Sequence, residues 1–420
     1  MRFAVIDANY SRSQFAGMAA TWLRWELQKA GVVECMPDVA EVLLVTVSSQ
    51  QGVSDVRRAL KRAANPRALV VLGGGGAYAP AVFDGIADVI CVGEGARFIR
   101  TLLAGGLDAV TTLPECWIPK DTRRVTPNNA FPWDVPPLNH PDGTVRLFGS
   151  RGCRYKCLFC QTGWERAYTS HPHPAVMQGQ AVRLETAGRR VAIVTNDGGD
   201  VDVHLAASQE FLSIRLDNMA RMMPITRKHT KSVRIGVEGL SERMRAAVGK
   251  PVPNDGLLDV TARLLGAGVG VRWFFIVGLP GETDDDYAEM RALVRRLSEL
   301  PKGCVILNFH AFVPMPATPL GVLPLQPGYW ERFDEFRRWF FHGPGFTRHA
   351  QIIPPAKEPG RMSRARESMA ATDVELRRGW WVHDNPNWRV RYLHEPERLR
   401  HMAQAYATRV GMRIDATTAT

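Results

Sequence analysis

No stretch of this chain stays apolar long enough to cross a membrane. The longest apolar runs, Val42–Val47 and Trp273–Val277, break within a few residues, far short of the ~20 a spanning helix needs. Cysteine is scarce: there are seven, an odd number, and three of them crowd into eight residues. That usage excludes a disulfide scaffold and fits a metal-binding cluster in a reducing compartment. Histidine is missing before His140, so the first quarter of the chain offers no imidazole to a metal. Neither an internal repeat nor a low-complexity tract occurs, which excludes solenoids and compositionally biased tails. The start, Met1–Asp7, reads as a β-strand and not as a signal peptide, so the expected location is cytoplasmic. What is present is ordinary: 420 residues, 45% apolar and 23% charged, enough for two or three domains with buried cores.

The charge is uneven. The net value is +11; residues 221–250 contribute +6 and residues 331–420 contribute +5, leaving the rest neutral. Two readings stand, a solvated basic surface or an electropositive face for a polyanion or phosphate-bearing substrate.

Over residues 1–110, apolar runs at Phe3–Ile6, Val42–Val47, Ala68–Leu72 and Asp88–Val92 alternate with amphipathic stretches at Ser13–Ala30 and Val53–Ala64. This βα alternation predicts an open α/β sheet of doubly wound, Rossmann-like type. Residues 111–143 carry seven prolines and little periodicity, which marks a linker. A second βα series over 144–320 has predicted strands at Thr144–Phe148, Val191–Thr195, Ser232–Val237, Val271–Val277 and Val305–Phe312. Its predicted helices are Ser208–Met222, Ser241–Val248, Leu257–Ala267 and Asp284–Leu300. A span of that length suits a partial barrel of parallel strands, since a complete eight-unit barrel takes ~250 residues. Residues 321–420 form a basic, Trp-rich extension of mixed structure, expected to cover the substrate.

The strongest chemical signal is Ser150-Arg151-Gly152-Cys153-Arg154-Tyr155-Lys156-Cys157-Leu158-Phe159-Cys160. Three cysteines at C-x3-C-x2-C follow a predicted barrel strand. Three thiolates on one loop can wrap a soft metal centre, and only such a centre repays deprotonating all of them. A zinc site takes four ligands and no second cysteine pair exists, although His171 and His173 could complete one. That rival describes a zinc-bearing nucleic-acid-binding protein.

At this loop the chain resembles the radical S-adenosylmethionine (SAM) superfamily. The resemblance implies that Cys153, Cys157 and Cys160 hold three irons of a [4Fe–4S] cluster, with Phe159 at the aromatic position before the last cysteine. SAM would chelate the fourth iron and be cleaved to a 5′-deoxyadenosyl radical, with electrons from a reducing partner such as a flavodoxin or ferredoxin. Further along, Val191–Gly199 resembles the segment that contacts the SAM amino group, implicating Gly198 and Gly199; a plain glycine-rich turn is the alternative. Arg234–Arg243 resembles the segment facing the SAM ribose, implicating Glu238 and Ser241, with a surface Arg–Glu pair as the alternative. Phe274–Thr283 resembles the GLPGET turn of the same proteins and reads as structural, with Thr283 as a helix N-cap.

The first domain resembles the cobalamin-binding domain fused to many radical SAM enzymes, on Val70–Ala77 and Asp88–Gly95. By that resemblance Gly73, Gly74 and Gly75 let the backbone approach a corrin. The usual histidine ligand is absent; Asn9 or Tyr10 stands near its place. Cobalamin therefore either binds without a protein ligand or the domain retains only the fold. The related methylthiotransferases carry a second cysteine triad in this domain, whereas Cys35, Cys91 and Cys116 lack its spacing. Trp330, Trp339, Trp380, Trp381 and Trp388 among basic residues could stack bases or cover the barrel. Together these features predict an enzyme that modifies a C–H position, by hydrogen abstraction or cobalamin-borne methyl transfer, in a nucleotide-derived or nucleic-acid substrate. A peptide or natural-product intermediate is the alternative within the enzyme class.

Overall fold

The computed structural model describes residues 1–8, 17–49, 52–119, 125–140, 143–197, 211–216, 218, 231–300, 303–315, 318–323, 325–343, 346–355 and 396–412. In the first domain β1 (Phe3–Asp7), β2 (Val42–Thr46), β3 (Leu69–Gly73) and β4 (Val89–Cys91) are parallel, and β5 (Cys116–Trp117) closes the edge antiparallel to β4. All five β2 residues are buried, as expected of a central parallel strand covered on both faces. Helices α1 (Met18–Lys29) and α3 (Ala96–Thr111) supply the core on one face, and α2 (Val53–Ala63) on the other. The described strands run in chain order, without the reversal typical of a doubly wound sheet.

The second sheet system begins with the short β6 (Leu138–Asn139), antiparallel to β7 (Thr144–Phe148). A hairpin of β8 (Ser150–Arg151) and β9 (Thr169–Ser170) brackets the cysteine loop, which contains α4 (Gln161–Glu165). After α5 (Pro174–Thr186), β10 (Arg190–Val194) pairs parallel with β7. Strands β11 (Phe211–Ile214), β12 (Ser232–Glu238), β13 (Gly270–Val277), β14 (Val305–Ala311) and β15 (Ala350–Ile353) form a second parallel run in that order. Helices α6 (Glu242–Ala247), α7 (Asn254–Gly266), α8 (Asp284–Ser298), α9 (Tyr329–His342) and α10 (Phe346–His349) lie between these strands, and α11 (Pro396–Val410) follows. The result is an α/β architecture with a partial barrel.

The helix expected over Ser208–Met222 is corrected: Phe211–Ile214 is a strand, in parallel register with Ser232–Ile235. A four-residue segment with three apolar side chains cannot by itself distinguish the two states, and pairing with β12 decides the matter. Burial along β13 alternates strictly. Val271, Trp273, Phe275 and Val277 face outward onto α7, α8 and α9, so Arg272, Phe274 and Ile276 face the barrel interior. Phe333, Phe336 and Phe340 of α9 complete that outer core, with Trp330 and Trp339 packed at its margin. Arg295 lies over the Trp339 ring at 5.3 Å. These two tryptophans are packing residues; Trp380, Trp381 and Trp388 lie outside the described residues. Among the described residues no helix is long and apolar enough to cross a membrane.

The GLPGET turn joins β13 to α8. Thr283 and Asp286 form a capping box, and the Gly278 N–H donates to both carboxylate oxygens of buried Glu282 at 3.1 and 3.2 Å. Burial pushes the Glu282 carboxyl from 4.5 up to about 7, although the Gly278 N–H acts to lower it. The folded state therefore holds this proton more tightly than the unfolded state. The stabilisation it contributes is full below about pH 4.5 and is lost as the pH rises to about 7. Calorimetry from pH 5 to 8 should show the melting temperature of the parent falling relative to that of Glu282→Gln, which has no proton to lose; parallel curves would exclude this origin.

Candidate active site

The carboxyl ends of the barrel strands surround a cavity of about 540 Å³. Cys153, Cys157 and Cys160 line it together with Phe159, Asn196, Asp197, Arg215, Arg234, Glu238, Lys250, Phe274 and His310. The loop between Cys153 and Cys160 is fastened from several sides. The Trp164 indole donates to the Cys157 carbonyl at 2.9 Å, and the Leu158 N–H donates to the Val248 carbonyl at 3.0 Å. Leu158 and Phe159 pack against a cluster that includes Phe312, Leu320, Ala403 and Tyr406, so α11 of the extension closes over the outside of this loop.

Cationic side chains stand beside the thiols, while burial opposes their ionisation. Arg215 Nη1 approaches Cys157 Sγ at 3.2 Å, and its guanidinium lies 3.8 Å from the Tyr155 ring centre. Burial lowers the Lys156 amine to about 8, with Cys153 and Cys160 acting to raise it. Burial pushes the Cys160 thiol up, as does Cys157 beside it, whereas the N–H groups of Gly163 and Thr162 act the other way. Such thiols surrender their protons to a metal centre and not to water. Three thiols around one cavity beneath a buried arginine fit an iron–sulfur cluster, in which each sulfur holds a different iron.

The two histidines named for the zinc alternative are not placed to be its fourth ligand. His171 and His173 do not line this cavity; His171 Nδ1 accepts the His173 N–H at 3.0 Å, and its ring packs edge-on to Trp133. Among the described residues no group of three His, Cys, Asp or Glu side chains is placed to hold a single metal ion.

Glu238 lines the cavity at a β-bulge between β12 and β13, with φ of 74°. A non-glycine residue in that region is strained, as functional sites often are. Its carboxylate meets Lys250 Nζ at 2.8 Å. Burial alone would lower the Lys250 amine, but the Glu238 charge and hydrogen bond hold it above its usual range. Ser241 is a correction. Its hydroxyl accepts the Met244 N–H at 3.1 Å as the N-cap of α6 and donates to the buried Asp286 carboxylate; it does not line the cavity. A serine that caps a helix has its oxygen committed. Gly198 and Gly199 lie outside the described residues. Just before them, Asp197 accepts the Arg215 backbone N–H at 3.2 Å and a bond from Asn218.

A second cavity, of about 330 Å³, lies at the carboxyl ends of β2, β3 and β4, between the first domain and the cysteine-loop region. Gly73, Gly74, Gly75, Gly93 and Gly95 meet there with Trp22, Phe98, Phe131, Phe148, Arg151 and Glu165. No described lining residue is a histidine; Asn9 and Tyr10 lie outside the described residues. The glycines differ in what they serve. A Cβ on Gly75 would stand 2.7 Å from the Ser48 carbonyl oxygen, and one on Gly74 2.5 Å from that of Val47, so packing alone demands glycine at both. On Gly73 the nearest atom would be 3.8 Å away, at Cys91. Packing leaves that position free, and a side chain there would fill the cavity floor. A glycine floor beneath aromatic walls fits a flat corrin.

An ion network ties the two regions together. Glu94 of the first domain accepts from Arg166 at 2.7 Å and from Arg151 at 3.1 Å, and Gln161 donates to the Gly75 carbonyl at 2.8 Å and to Glu165 at 2.7 Å. Burial would raise the Glu94 carboxyl, yet Arg151 and Arg166 hold it below its usual range. Asn196 lines both cavities and donates to the Gly152 carbonyl. Of these residues Gly75, Glu94, Arg151, Gly152 and Asn196 stand inside segments singled out from the sequence; Gln161, Glu165 and Arg166 are placed by folding. Cys91 and Cys116 are buried register partners in the first sheet, with Cys91 against the second cavity, and Cys35 Sγ bonds the Phe3 carbonyl, so none of the three reaches the cavity that holds the cysteine triad.

Residues 147–294 match the radical SAM superfamily model. A ribosomal protein uS12 methylthiotransferase (RimO) of Trichlorobacter lovleyi is 26% identical over 197 residues, which is 40% of this chain and 44% of that protein. An uncharacterized protein of Methanopyrus kandleri is 33% identical over 107 residues, 26% and 20% of the two chains; this chain thus spans less than half of either curated relative. Among solved structures it is similar to the radical SAM methyltransferase TsrM of Kitasatospora setae with cobalamin and a [4Fe–4S] cluster bound, at TM-score 0.57 and 14% identity over 98% of both chains. It is also similar to the cobalamin-dependent SAM radical enzyme OxsB with aqua-cobalamin and SAM bound, at TM-score 0.55 and 12% identity over 100% of this chain and 62% of that one. Residues 147–294 thus match a radical SAM domain, and the fold of the chain is similar to that of solved cobalamin-dependent radical SAM enzymes.

Proposed function

We propose that the protein methylates a C–H position of a small molecule bound in the barrel cavity, using a [4Fe–4S] cluster, SAM and cobalamin. The observation that carries this reading is the adjacency of the two cavities, one lined by three thiols and the other glycine-floored and apolar-walled, with Asn196 in the wall of each. Cys153, Cys157 and Cys160 would hold the cluster, and Gly73 with the aromatic wall would hold the corrin. When bound, these groups supply the electron that cleaves the SAM sulfonium and a carrier for its methyl group. The chain's own part is to position and exclude. Arg215 sets the charge at Cys157, the Glu94–Arg151–Arg166 network fixes the cysteine loop against the first domain, and α11 covers that loop from outside.

A nucleic-acid substrate draws its support from the basic run 221–250. Within its described part, Arg243 pairs with Asp286, Lys250 with Glu238, and Arg245 is fully buried beside Asn254. These cations are spent inside the fold, which favours a small molecule. Anaerobic reconstitution with iron, sulfide and hydroxocobalamin tests the proposal. About four irons per chain, one retained cobalamin and methyl transfer from SAM are expected; a colourless protein holding one zinc would overturn it.

Glu238 is the proposed acceptor for the SAM ribose hydroxyls. Glu238→Gln should weaken SAM binding by about one to two decades, the ~1.5–3 kcal/mol of a charge-assisted hydrogen bond, without changing iron content. Glu238→Ala should also cost about 3–5 kcal/mol of stability, because it strands buried Lys250. Unchanged SAM affinity by equilibrium dialysis of reconstituted Glu238→Gln would remove the ribose from this position.

A further inference from the structure

Arg215 stands just after β11, at the carboxyl end of the strand, and is buried. Its Nη1 donates to Cys157 Sγ at 3.2 Å, and its guanidinium lies 3.8 Å from the centre of the Tyr155 ring. A closed set of bonds holds it there. The Asp197 carboxylate accepts the Arg215 backbone N–H at 3.2 Å and a bond from Asn218 Nδ2 at 2.5 Å; that same nitrogen donates to the Tyr155 hydroxyl at 2.9 Å. Tyr155 comes from the cysteine loop, Asp197 from beyond the end of β10, and Arg215 and Asn218 from beyond the end of β11. Because Tyr155 belongs to the cysteine loop itself, the guanidinium and the Cys157 sulfur are tied to one frame.

A guanidinium beside a neutral thiol gains little, whereas beside a thiolate it makes a charge-assisted hydrogen bond. It also stays charged at every working pH, so Arg215 is a fixed positive charge and not a switch. Lys250 lines the same cavity within the field of Cys157, but Glu238 is paired with it at 2.8 Å, so it brings little net charge to the sulfur. An iron–sulfur cluster gains one negative charge on reduction. A hydrogen bond or a positive charge at a ligating sulfur stabilises that reduced form and raises the potential, and a buried setting strengthens the effect.

We infer that Arg215 is a positioning residue that sets the reduction potential of the cluster through the Cys157 sulfur, making the cluster easier to reduce. This inference rests on the proposed reading of Cys153, Cys157 and Cys160 as cluster ligands. Its consequence is that the electron for SAM cleavage can come from a weaker one-electron donor than the same loop would need without the guanidinium. Geometry matters as well as charge. The flat guanidinium lies on the Tyr155 ring while one of its edges meets the sulfur, an arrangement an ammonium does not reproduce.

The test uses the full chain, reconstituted anaerobically with iron and sulfide, in a redox titration followed by electron paramagnetic resonance in the absence of SAM. Arg215→Leu, neutral and without donors, should lower the midpoint potential by about 60 mV or more, the shift of a tenfold change in a one-electron equilibrium. Arg215→Lys, which keeps the charge, should stay closer to the parent. Iron content, and SAM affinity by equilibrium dialysis, should match the parent in both. An unchanged potential in iron-replete Arg215→Leu overturns the inference. So does a loss confined to SAM affinity, which would put the guanidinium on SAM instead of on the sulfur. Should Arg215→Leu take up little iron, Arg215→Gln and Asn218→Ala carry the same measurement, the second because it loosens the frame and keeps the charge. Parental potentials in both overturn the inference, and loss of the cluster from every variant does so too, by making Arg215 an assembly residue. A parent that takes up no iron strikes the radical SAM reading itself, and this inference with it.

Discussion

Cys157→Ala, reconstituted with iron and sulfide, should hold little iron and produce no 5′-deoxyadenosine from SAM. Cys153→Ala and Cys160→Ala should behave alike, because each sulfur holds a different iron and two thiolates do not retain the cluster. The fold should survive, since none of the three belongs to the apolar cores of the first domain or the barrel. Cys157 offers the cleanest reading because its sulfur is buried and faces the Arg215 guanidinium. Cys91→Ala supplies the contrast. Cys91 belongs to the first-domain core and lines the interdomain cavity through its Cβ side, so its loss should lower the melting temperature slightly and leave iron at the parental level. Iron analysis, chromatography of the cleavage products and thermal melts on the same preparations check all of this. Retained 5′-deoxyadenosine in a well-folded Cys157→Ala would remove these cysteines from the cluster.

The sequence made the barrel readable because its strands carry their own signal. The run Gly270–Val277 is apolar but for Arg272, bounded by glycines and followed by a capped helix, so local pattern and final structure agree. The cysteine loop was readable for a similar reason, its spacing being local. What escaped is what folding assembles from afar. Lys250 lies twelve residues beyond Glu238 and becomes its partner only because α6 turns back over β12. Glu94 and Arg166 are separated by 72 positions, and nothing in either segment announces the other. Ser241 misled because an N-cap serine and a ligand-binding serine look the same after a strand. The basic run could not be placed from sequence, because a count of charges carries no direction, and several of its described side chains pair within the fold.

The glycines of the first domain give the second large effect, and the structure changes which of them can report it. Gly75 stands in the motif that resembles a corrin cradle, but a Cβ there would press on the Ser48 carbonyl at 2.7 Å. Any side chain at Gly75 therefore destabilises the domain, by ~1–3 kcal/mol for overpacking, whether or not a ligand binds. Gly73 is the informative site. It ends β3, lines the cavity, and would place a Cβ no closer than 3.8 Å to any neighbour. Gly73→Leu should fold with a parental melting temperature and a full cluster, yet retain no cobalamin after gel filtration, because the added side chain occupies the floor on which a corrin would lie. In the parent protein, electron paramagnetic resonance of the cob(II)alamin state should show no nitrogen coupling that shifts on 15N labelling of the protein, since no described residue lining the cavity is a histidine and amide or phenol side chains are poor ligands for such a metal. A coupling that does shift would place a protein nitrogen on the cobalt. Full cobalamin retention in Gly73→Leu would place the corrin elsewhere, and a parent that retains none would leave the first domain as a fold without its ligand, and the barrel with hydrogen abstraction as its reaction.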